Sequence, residues 1–218
     1  MAPYKLRGRR DKMSRIVDGI HRVYNASVTR EPFLYFEMRM TARLLAEGAS
    51  DEAVVQRVVS ENLFQYPTER TVARMARACI GRLKGMNDPS LVAAIAAKPQ
   101  DVARQICLYA MMKEHRLICD FMLTVIGEKY RTQDMSFGKI DVNTFFLRLQ
   151  EQDDAVAAWS ENTIRKLGQV IVRILVDNEY LDGTKADRLN PVLISSILEN
   201  ALRASEDAYM LPAFNCFS

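Results

Sequence analysis

The spacing of apolar and polar residues over positions 66–84 predicts a helix with two chemically different faces. Thr68, which follows a proline, is placed to cap the first turn of this helix. Three arginines, Arg70, Arg74 and Arg77, fall on one face, and no acidic residue after the first turn balances them. The other face carries Val72, Met75, Cys79, Ile80 and Leu83. An arginine face of this kind is typical of a helix that meets nucleic acid.

The residues before this helix predict two further helices joined by a tight turn. The segment 36–46 has a helical apolar pattern, and Gly48 is suited to the left-handed position that ends such a helix. Ser50 is placed to cap a short second helix that buries Val54, Val55, Val58 and Val59. Helix, glycine turn, short helix and basic helix is the order of a helix-turn-helix unit, whose last helix enters the DNA major groove. The alternative is a three-helix bundle in which the arginines are only solvated.

Proline and glycine indicate a boundary at residues 85–89, because Pro89 cannot continue a helix. We therefore divide the chain into a domain of residues 1–88, with a basic arm and the helix-turn-helix-like unit, and a helical domain of residues 89–218. In the second domain the apolar spacing predicts helices over 101–112, 114–130, 141–149, 160–177 and 191–202. The predicted fold class is mainly α, with two helical subdomains.

The last of these helices follows a segment, residues 178–189, that predicts a small β-hairpin. Tyr180 and Leu181 suit a short strand, and Asp182-Gly183 is a strong turn signal. Together with the helix capped by Ser160, the hairpin would form a winged-helix-like unit. The residues that this unit would offer to DNA are Arg165, Lys166, Gln169 and Arg173 on the helix and Lys185 on the wing. A purely structural module would have the same pattern.

Charge is distributed unevenly along the 218 residues, although the net charge is only +3. Residues 1–90 hold 16 lysines and arginines against 10 acidic residues, a balance of +6, and the remaining 14 against 17 give −3. The N-terminal arm contributes Lys5, Arg7, Arg9, Arg10 and Lys12. A basic arm beside a basic helix is suited to holding phosphates and to fast association with DNA. A solvated tail is the alternative.

The composition also excludes several classes of protein. Hydrophobic content of 49% and charged content of 26% are typical of a globular protein. No apolar run approaches the roughly 18–20 residues that cross a bilayer, and the basic start lacks the apolar core of a secretory signal. We therefore predict no membrane association and a cytoplasmic location.

Candidate catalytic and metal-binding residues are few. The four cysteines are scattered, so they predict reduced structural thiols, and two histidines are too few for an obvious metal cluster. His115, Cys119 and Asp120 could form a nucleophile and base, but they lie in an apolar helix, which favours structural roles. No glycine-rich phosphate loop is visible. We predict no enzyme activity, no catalytic residue, no metal or other cofactor and no small-molecule substrate.

Several segments together resemble the BrxA family of bacteriophage-exclusion (BREX) defence systems, from about Phe33 to Phe214. They are Asp120-Phe-Met-Leu, Trp159-Ser-Glu-Asn-Thr-Ile-Arg-Lys-Leu, Val170-Ile-Val-Arg-Ile-Leu and Tyr209-Met-Leu-Pro-Ala-Phe. The resemblance implies a helical DNA-binding accessory factor that works beside a methyltransferase, a phosphatase-like protein and large ATPases. Its expected partners are double-stranded DNA and other BREX proteins. The alternative is a helical scaffold that docks other defence proteins without binding DNA.

Overall fold

Helices dominate the computed structural model, which describes residues 23–217. The predicted arm residues Lys5, Arg7, Arg9, Arg10 and Lys12 lie outside the described residues. The mainly α class is confirmed, and the described residues contain no β-strand. No described helix combines the length and the apolar character that are required to cross a bilayer.

Five helices form the first part of the fold. They are α1 (Tyr35–Ala46), α2 (Asp51–Ser60), α3 (Glu69–Gly85), α4 (Pro89–Ala97) and α5 (Gln100–Glu114). The predicted caps are confirmed, because Ser50 accepts a hydrogen bond from the Ala53 amide and Thr68 accepts one from the Thr71 amide. Gly48 has a φ of 85°, as the turn after α1 requires.

The helix α3 lies at the centre of this part and packs against α1, α2 and α5. Its predicted apolar residues are all buried, as are Val54 and Val58 of α2, whereas Val55 and Val59 are half-buried. Helix α4 packs back onto α1 across the proposed domain division at residue 88. The two segments on either side of that division therefore share apolar contacts.

The helical apolar pattern predicted over residues 36–46 begins at Phe36, but this side chain is 53% exposed. Helix α1 buries Met38, Thr41, Ala42 and Leu44. Phe36 lies two residues before Met38, which is about 200° around a helix of 3.6 residues per turn, so the two side chains point in nearly opposite directions.

The second part of the fold contains six helices and two 3₁₀ segments, one of which comes from the chain before α1. The helices are α6 (Arg116–Phe121), α7 (Glu128–Thr132), α8 (Lys139–Gln152), α9 (Asp154–Ala157), α10 (Glu161–Asp177) and α11 (Ser196–Arg203). A π-helical segment, Met122–Gly127, joins α6 to α7. The 3₁₀ segments are Ser27–Thr29, which packs against α10, and Glu206–Phe214, which was not predicted.

Two helix starts differ from the prediction. Helix α8 begins before Asp141, whose carboxylate instead accepts a hydrogen bond from the Gly138 amide at 2.8 Å. The last helix begins at Ser196 rather than at Pro191. The side chain of Gln105 explains the later start, because it donates to the Leu193 carbonyl and accepts from the Ser195 amide, both at 2.8 Å. These bonds hold the residues before α11 outside the helix.

The hairpin predicted over residues 178–189 does not form. Tyr180 is a buried anchor rather than a strand residue, since its amide bonds the Leu175 carbonyl and its hydroxyl bonds the Ala213 carbonyl. The later part of the loop pairs with a distant segment through an isolated antiparallel bridge between Ser136 and Arg188. Lys185 therefore lies on an irregular loop and not on a hairpin wing.

The π segment meets the C-terminal 3₁₀ segment at a close backbone contact. A Cβ atom added at Gly127 would lie 3.1 Å from both the carbonyl carbon and the Cβ of Pro212. Backbone atoms cannot move aside as the end of a flexible side chain can, so glycine permits this approach.

We expect Gly127→Ala to lower the free energy of unfolding by up to about 2 kcal/mol, because the added methyl group overpacks the contact with Pro212 at a cost of about 1–3 kcal/mol. The roughly 1 kcal/mol that alanine gains over glycine from helix propensity offsets part of this cost. Urea denaturation measures the change. Gly85→Ala is the matched control, because an added Cβ there meets no heavy atom within 4 Å. Equal stability of the two variants would show that the Pro212 segment shifts freely.

Candidate nucleic-acid interface

The three predicted arginines of α3 are all exposed along one side of the helix. Within residues 23–217, Arg70, Arg74 and Arg77 make no ion pair or hydrogen bond through their side chains. At a rise of 1.5 Å per residue, the first and last of them are separated by roughly 10 Å along the axis. That span is similar to the roughly 12 Å width of the DNA major groove.

Three other surface arginines are paired with acids. Each contacts a glutamate on its own helix or at its end, and the pairs are Arg57–Glu61, Arg131–Glu128 and Arg203–Glu199. The charges of these three arginines are therefore compensated, whereas those of Arg70, Arg74 and Arg77 are not compensated by any described acid.

The connections around α2 set the relation of α3 to its neighbours. The turn between α1 and α2, residues 47–50, has the four-residue length that is usual in helix-turn-helix units. The connection between α2 and α3, residues 61–68, is twice as long. Near its end the Tyr66 hydroxyl donates to the Glu37 carboxylate at 2.6 Å, which ties the start of α3 to α1.

A fourth arginine of α3, Arg82, is fully buried. Its Nε donates to Glu114 Oε2 at 2.7 Å, and its Nη1 and Nη2 donate to the carbonyls of Pro32 at 2.7 Å and Glu31 at 2.6 Å. The Nε2 atom of His115 lies 3.1 Å from Nη2. One guanidinium thus joins α3 to the chain before α1 and to the junction of α5 and α6.

The environment of Glu114 follows from this arrangement. Burial alone would raise its pKa, but hydrogen bonds and charges from His115 and Arg82 outweigh burial and lower the pKa to about 2. Glu114 is therefore ionised at neutral pH and neutralises the buried guanidinium. Sequence reasoning missed Arg82, although its position seven residues after Met75 lies on the apolar face of α3.

The predicted basic residues of α10 are also exposed, but they are partly paired. Arg165 donates to Asn162 Oδ1 at 2.6 Å, and Arg173 lies 2.9 Å from Asp177 Oδ1. Lys166 and Gln169 are exposed on the same helix. Lys185 is exposed on the loop that follows α10. The positive charge of this second surface is therefore weaker than that of α3.

The residues weighed as a nucleophile and base do not form such a pair. His115 faces Arg82 and Glu114, whereas Asp120 accepts a hydrogen bond from the Tyr24 hydroxyl at 2.5 Å. Burial raises the pKa of the Cys119 thiol to about 12, so this thiol stays protonated and is a poor nucleophile. Among the described residues, no three histidine, cysteine or acidic side chains group so that they could hold a metal ion.

Similarity to known proteins extends over most of the chain. The sequence model of the BrxA family matches residues 22–206. The chain belongs to the BrxA family. BrxA proteins are components of BREX phage-defence systems.

Two relatives named BREX protein BrxA illustrate the range of similarity. The protein from Bacillus cereus (strain H3081.97) is 33% identical over 190 residues, which are 86% of this chain and 94% of the relative. The protein from Paramagnetospirillum magneticum (strain ATCC 700264 / AMB-1) is 26% identical over 175 residues, which are 80% of this chain and 87% of the relative.

A solved structure shares the BrxA fold described above. It is the crystal structure of an uncharacterized protein from Magnetospirillum magneticum, with a TM-score of 0.75 and 24% sequence identity. The match covers 88% of this chain and 97% of that one. At this identity the likeness shows the fold alone.

We expect Arg82→Met to lower the free energy of unfolding by about 3–5 kcal/mol, because it leaves the Glu114 carboxylate and two carbonyls without their buried donor. Arg77→Met, on the exposed face of the same helix, should change stability by no more than about 0.5 kcal/mol. Guanidinium chloride denaturation of both variants tests the contrast. If Arg82→Met were as stable as Arg77→Met, the buried arginine would not hold these segments together.

Proposed function

We propose that this protein is a non-catalytic DNA-binding accessory protein of a BREX phage-defence system. Its contacts with duplex DNA are the arginine face of α3, the basic face of α10 and the basic N-terminal arm. The observation that carries the proposal is the row of three exposed arginines on α3 without an acidic partner among the described residues. The other partners are further proteins of the same defence system.

Electrostatics supports duplex DNA as the partner of α3. Cations that neutralise phosphates release condensed counterions, and this release supplies much of the affinity of DNA-binding proteins. An arginine already paired with a carboxylate must first give up that partner, whereas Arg70, Arg74 and Arg77 have none to lose within residues 23–217. Arginine also bonds guanine bidentately in the major groove, so the same face is suited to reading sequence.

The basic arm adds charge at the amino end of the chain. Its five cations, Lys5, Arg7, Arg9, Arg10 and Lys12, would raise the rate of association with a polyanion. The chain is anchored soon after the arm, since Tyr24 bonds Asp120 and the guanidinium of Arg116 lies 4.3 Å from the centre of the Tyr24 ring. An arm bound to DNA would therefore be joined to the fold at Tyr24, whose side chain is held by Asp120 and Arg116.

A scaffold that docks other defence proteins is the second candidate function. The observation that favours it is an exposed apolar pair on α8, where Ile140 is 73% exposed and Leu147 is 60% exposed. The two residues are seven positions apart and lie on the same side of the helix. Such a pair is suited to a protein partner and not to phosphates.

The absence of catalysis and the cytoplasmic location stay predictions. The protonated, buried thiol of Cys119 supports the absence of catalysis. Binding to DNA inside a bacterial cell would require the cytoplasmic location.

Replacing Arg70, Arg74 and Arg77 together with alanine should weaken binding to random-sequence duplex DNA. Each phosphate contact contributes about 0.9 to the slope of log K against log salt, so three lost contacts should reduce the slope by about 2.7. Fluorescence anisotropy over a series of salt concentrations measures this change. The melting temperature should hardly move, because exposed charges contribute little to stability.

The matched control replaces Arg57, Arg131 and Arg203 with alanine, which removes the same charge from acid-paired positions. It should keep nearly the parent slope. Equal losses in both triple variants would mean that only net charge matters. A parent protein that binds no duplex DNA at low salt would refute the proposal and favour the scaffold.

A double replacement, Arg165→Ala with Lys166→Ala, tests the α10 surface. We expect an intact fold and an intermediate loss of affinity, because Arg165 is already bonded to Asn162 while Lys166 is not paired with any described acid. Lys139→Ala with Arg148→Ala, at exposed positions of α8, is the control for lost charge. Parent-like affinity of the α10 variant would leave α3 and the arm as the DNA contacts and would assign the C-terminal half to protein docking.

A further inference from the structure

The outer side of α1 carries an exposed aromatic residue among cations. Phe36 is 53% exposed, and the next residues on the same side of the helix are Arg39, Met40 and Arg43, at three, four and seven positions after it. Lys98, at the end of α4, joins this surface through its carbonyl, which accepts from Arg39 Nη2 at 2.8 Å. We call these five residues the α1 outer surface.

The two arginines of this surface are hydrogen-bonded without being neutralised. Arg39 Nη1 donates to the Tyr35 hydroxyl at 2.6 Å, and Arg43 Nε donates to the Ala96 carbonyl at 3.4 Å. All the acceptors of these arginines among the described residues are uncharged. The carboxyl end of α4 contributes only about half an elementary negative charge, so three positive charges remain largely unbalanced.

The Tyr35 side chain beneath the surface makes two ring contacts. The Tyr35 ring that fixes Arg39 stacks with Phe33 at a centroid distance of 6.4 Å. The Tyr35 ring also contacts the guanidinium of Arg104, which lies 5.5 Å from the ring centre. The hydrogen bond to this packed ring therefore preorganises the Arg39 guanidinium, which lowers the entropy cost of binding.

An exposed ring surrounded by unneutralised cations fits one class of ligand well. Single-stranded nucleic acid offers unstacked bases that lie on aromatic rings and a backbone that follows positive charge. The bases of duplex DNA stack on one another, so they are not available to stack on the ring of Phe36. An acidic protein would use the cations, but an exposed ring would add little to that contact.

We propose that the α1 outer surface binds single-stranded DNA, with Phe36 as the stacking platform for one base and Arg39, Arg43 and Lys98 as the phosphate contacts. This site is separate from the duplex-binding face assigned to α3. It does not depend on the proposed function, because the two surfaces use different residues and different forms of DNA.

The test is the affinity of the full-length protein for a fluorescent oligothymidine. We expect Phe36→Ala to weaken binding by about tenfold, as loss of one stacked base does, and Phe36→Tyr to restore it. Lys98→Ala should reduce the slope of log K against log salt by about 0.7. The control Phe217→Ala, at an aromatic residue 42% exposed near the C-terminus, should bind like the parent.

Separate outcomes distinguish this site from the duplex site. The triple alanine variant of Arg70, Arg74 and Arg77 should keep the tenfold effect of Phe36→Ala on oligothymidine. Conversely, Phe36→Ala should leave duplex affinity unchanged. No binding of oligothymidine by the parent protein, or equal affinities of Phe36→Ala and Phe217→Ala, would overturn the inference, whatever the result with duplex DNA.

Discussion

The buried guanidinium of Arg82 is the constraint on which the placement of α3 depends. A fully desolvated arginine is costly unless its donors are satisfied, and the surrounding chain supplies one carboxylate and two well-placed carbonyls. These acceptors come from two separate stretches of sequence, residues 31–32 and Glu114. Once they converge on Arg82, the rotation of α3 about its own axis is fixed, and with it the side that faces solvent.

The same helix therefore uses arginine in two opposite ways. On the inner side, charge is fully compensated and ties segments together. On the outer side, Arg70, Arg74 and Arg77 remain without acids among the described residues. Exposed ion pairs are worth little to stability, so leaving the outer side unpaired costs the fold almost nothing. The residues on the outer side can therefore serve binding without a loss of stability.

Local signals account for what the sequence predicted well. Caps such as Ser50, Thr68 and Ser160 determine helix starts within a few residues, and the structure confirms all three. The errors arose where distant contacts decide. Gln105 delays the start of α11 from 90 residues away, and Tyr180 serves as an anchor against Ala213 rather than as a strand residue.

For the candidate site, exposure of the α3 and α10 residues was predictable from periodicity. Sequence reasoning missed Arg82 and Phe36, because a charged residue and an aromatic one each lie on the side opposite to their usual preference. Only the register of Arg82 with Met75 marked its place on the apolar face.

The close contact between Gly127 and Pro212 has a consequence for synthesis on the ribosome. The π segment in the middle of the chain is covered by the 3₁₀ segment near its end, and Tyr180 bonds the same terminal segment. Domains form progressively from the amino end as the chain emerges, so α1 to α5 can pack early. The π segment, by contrast, keeps an uncovered apolar side until the Glu206–Phe214 segment has left the exit tunnel. Its protection during that interval falls to chaperones or to the speed of translation.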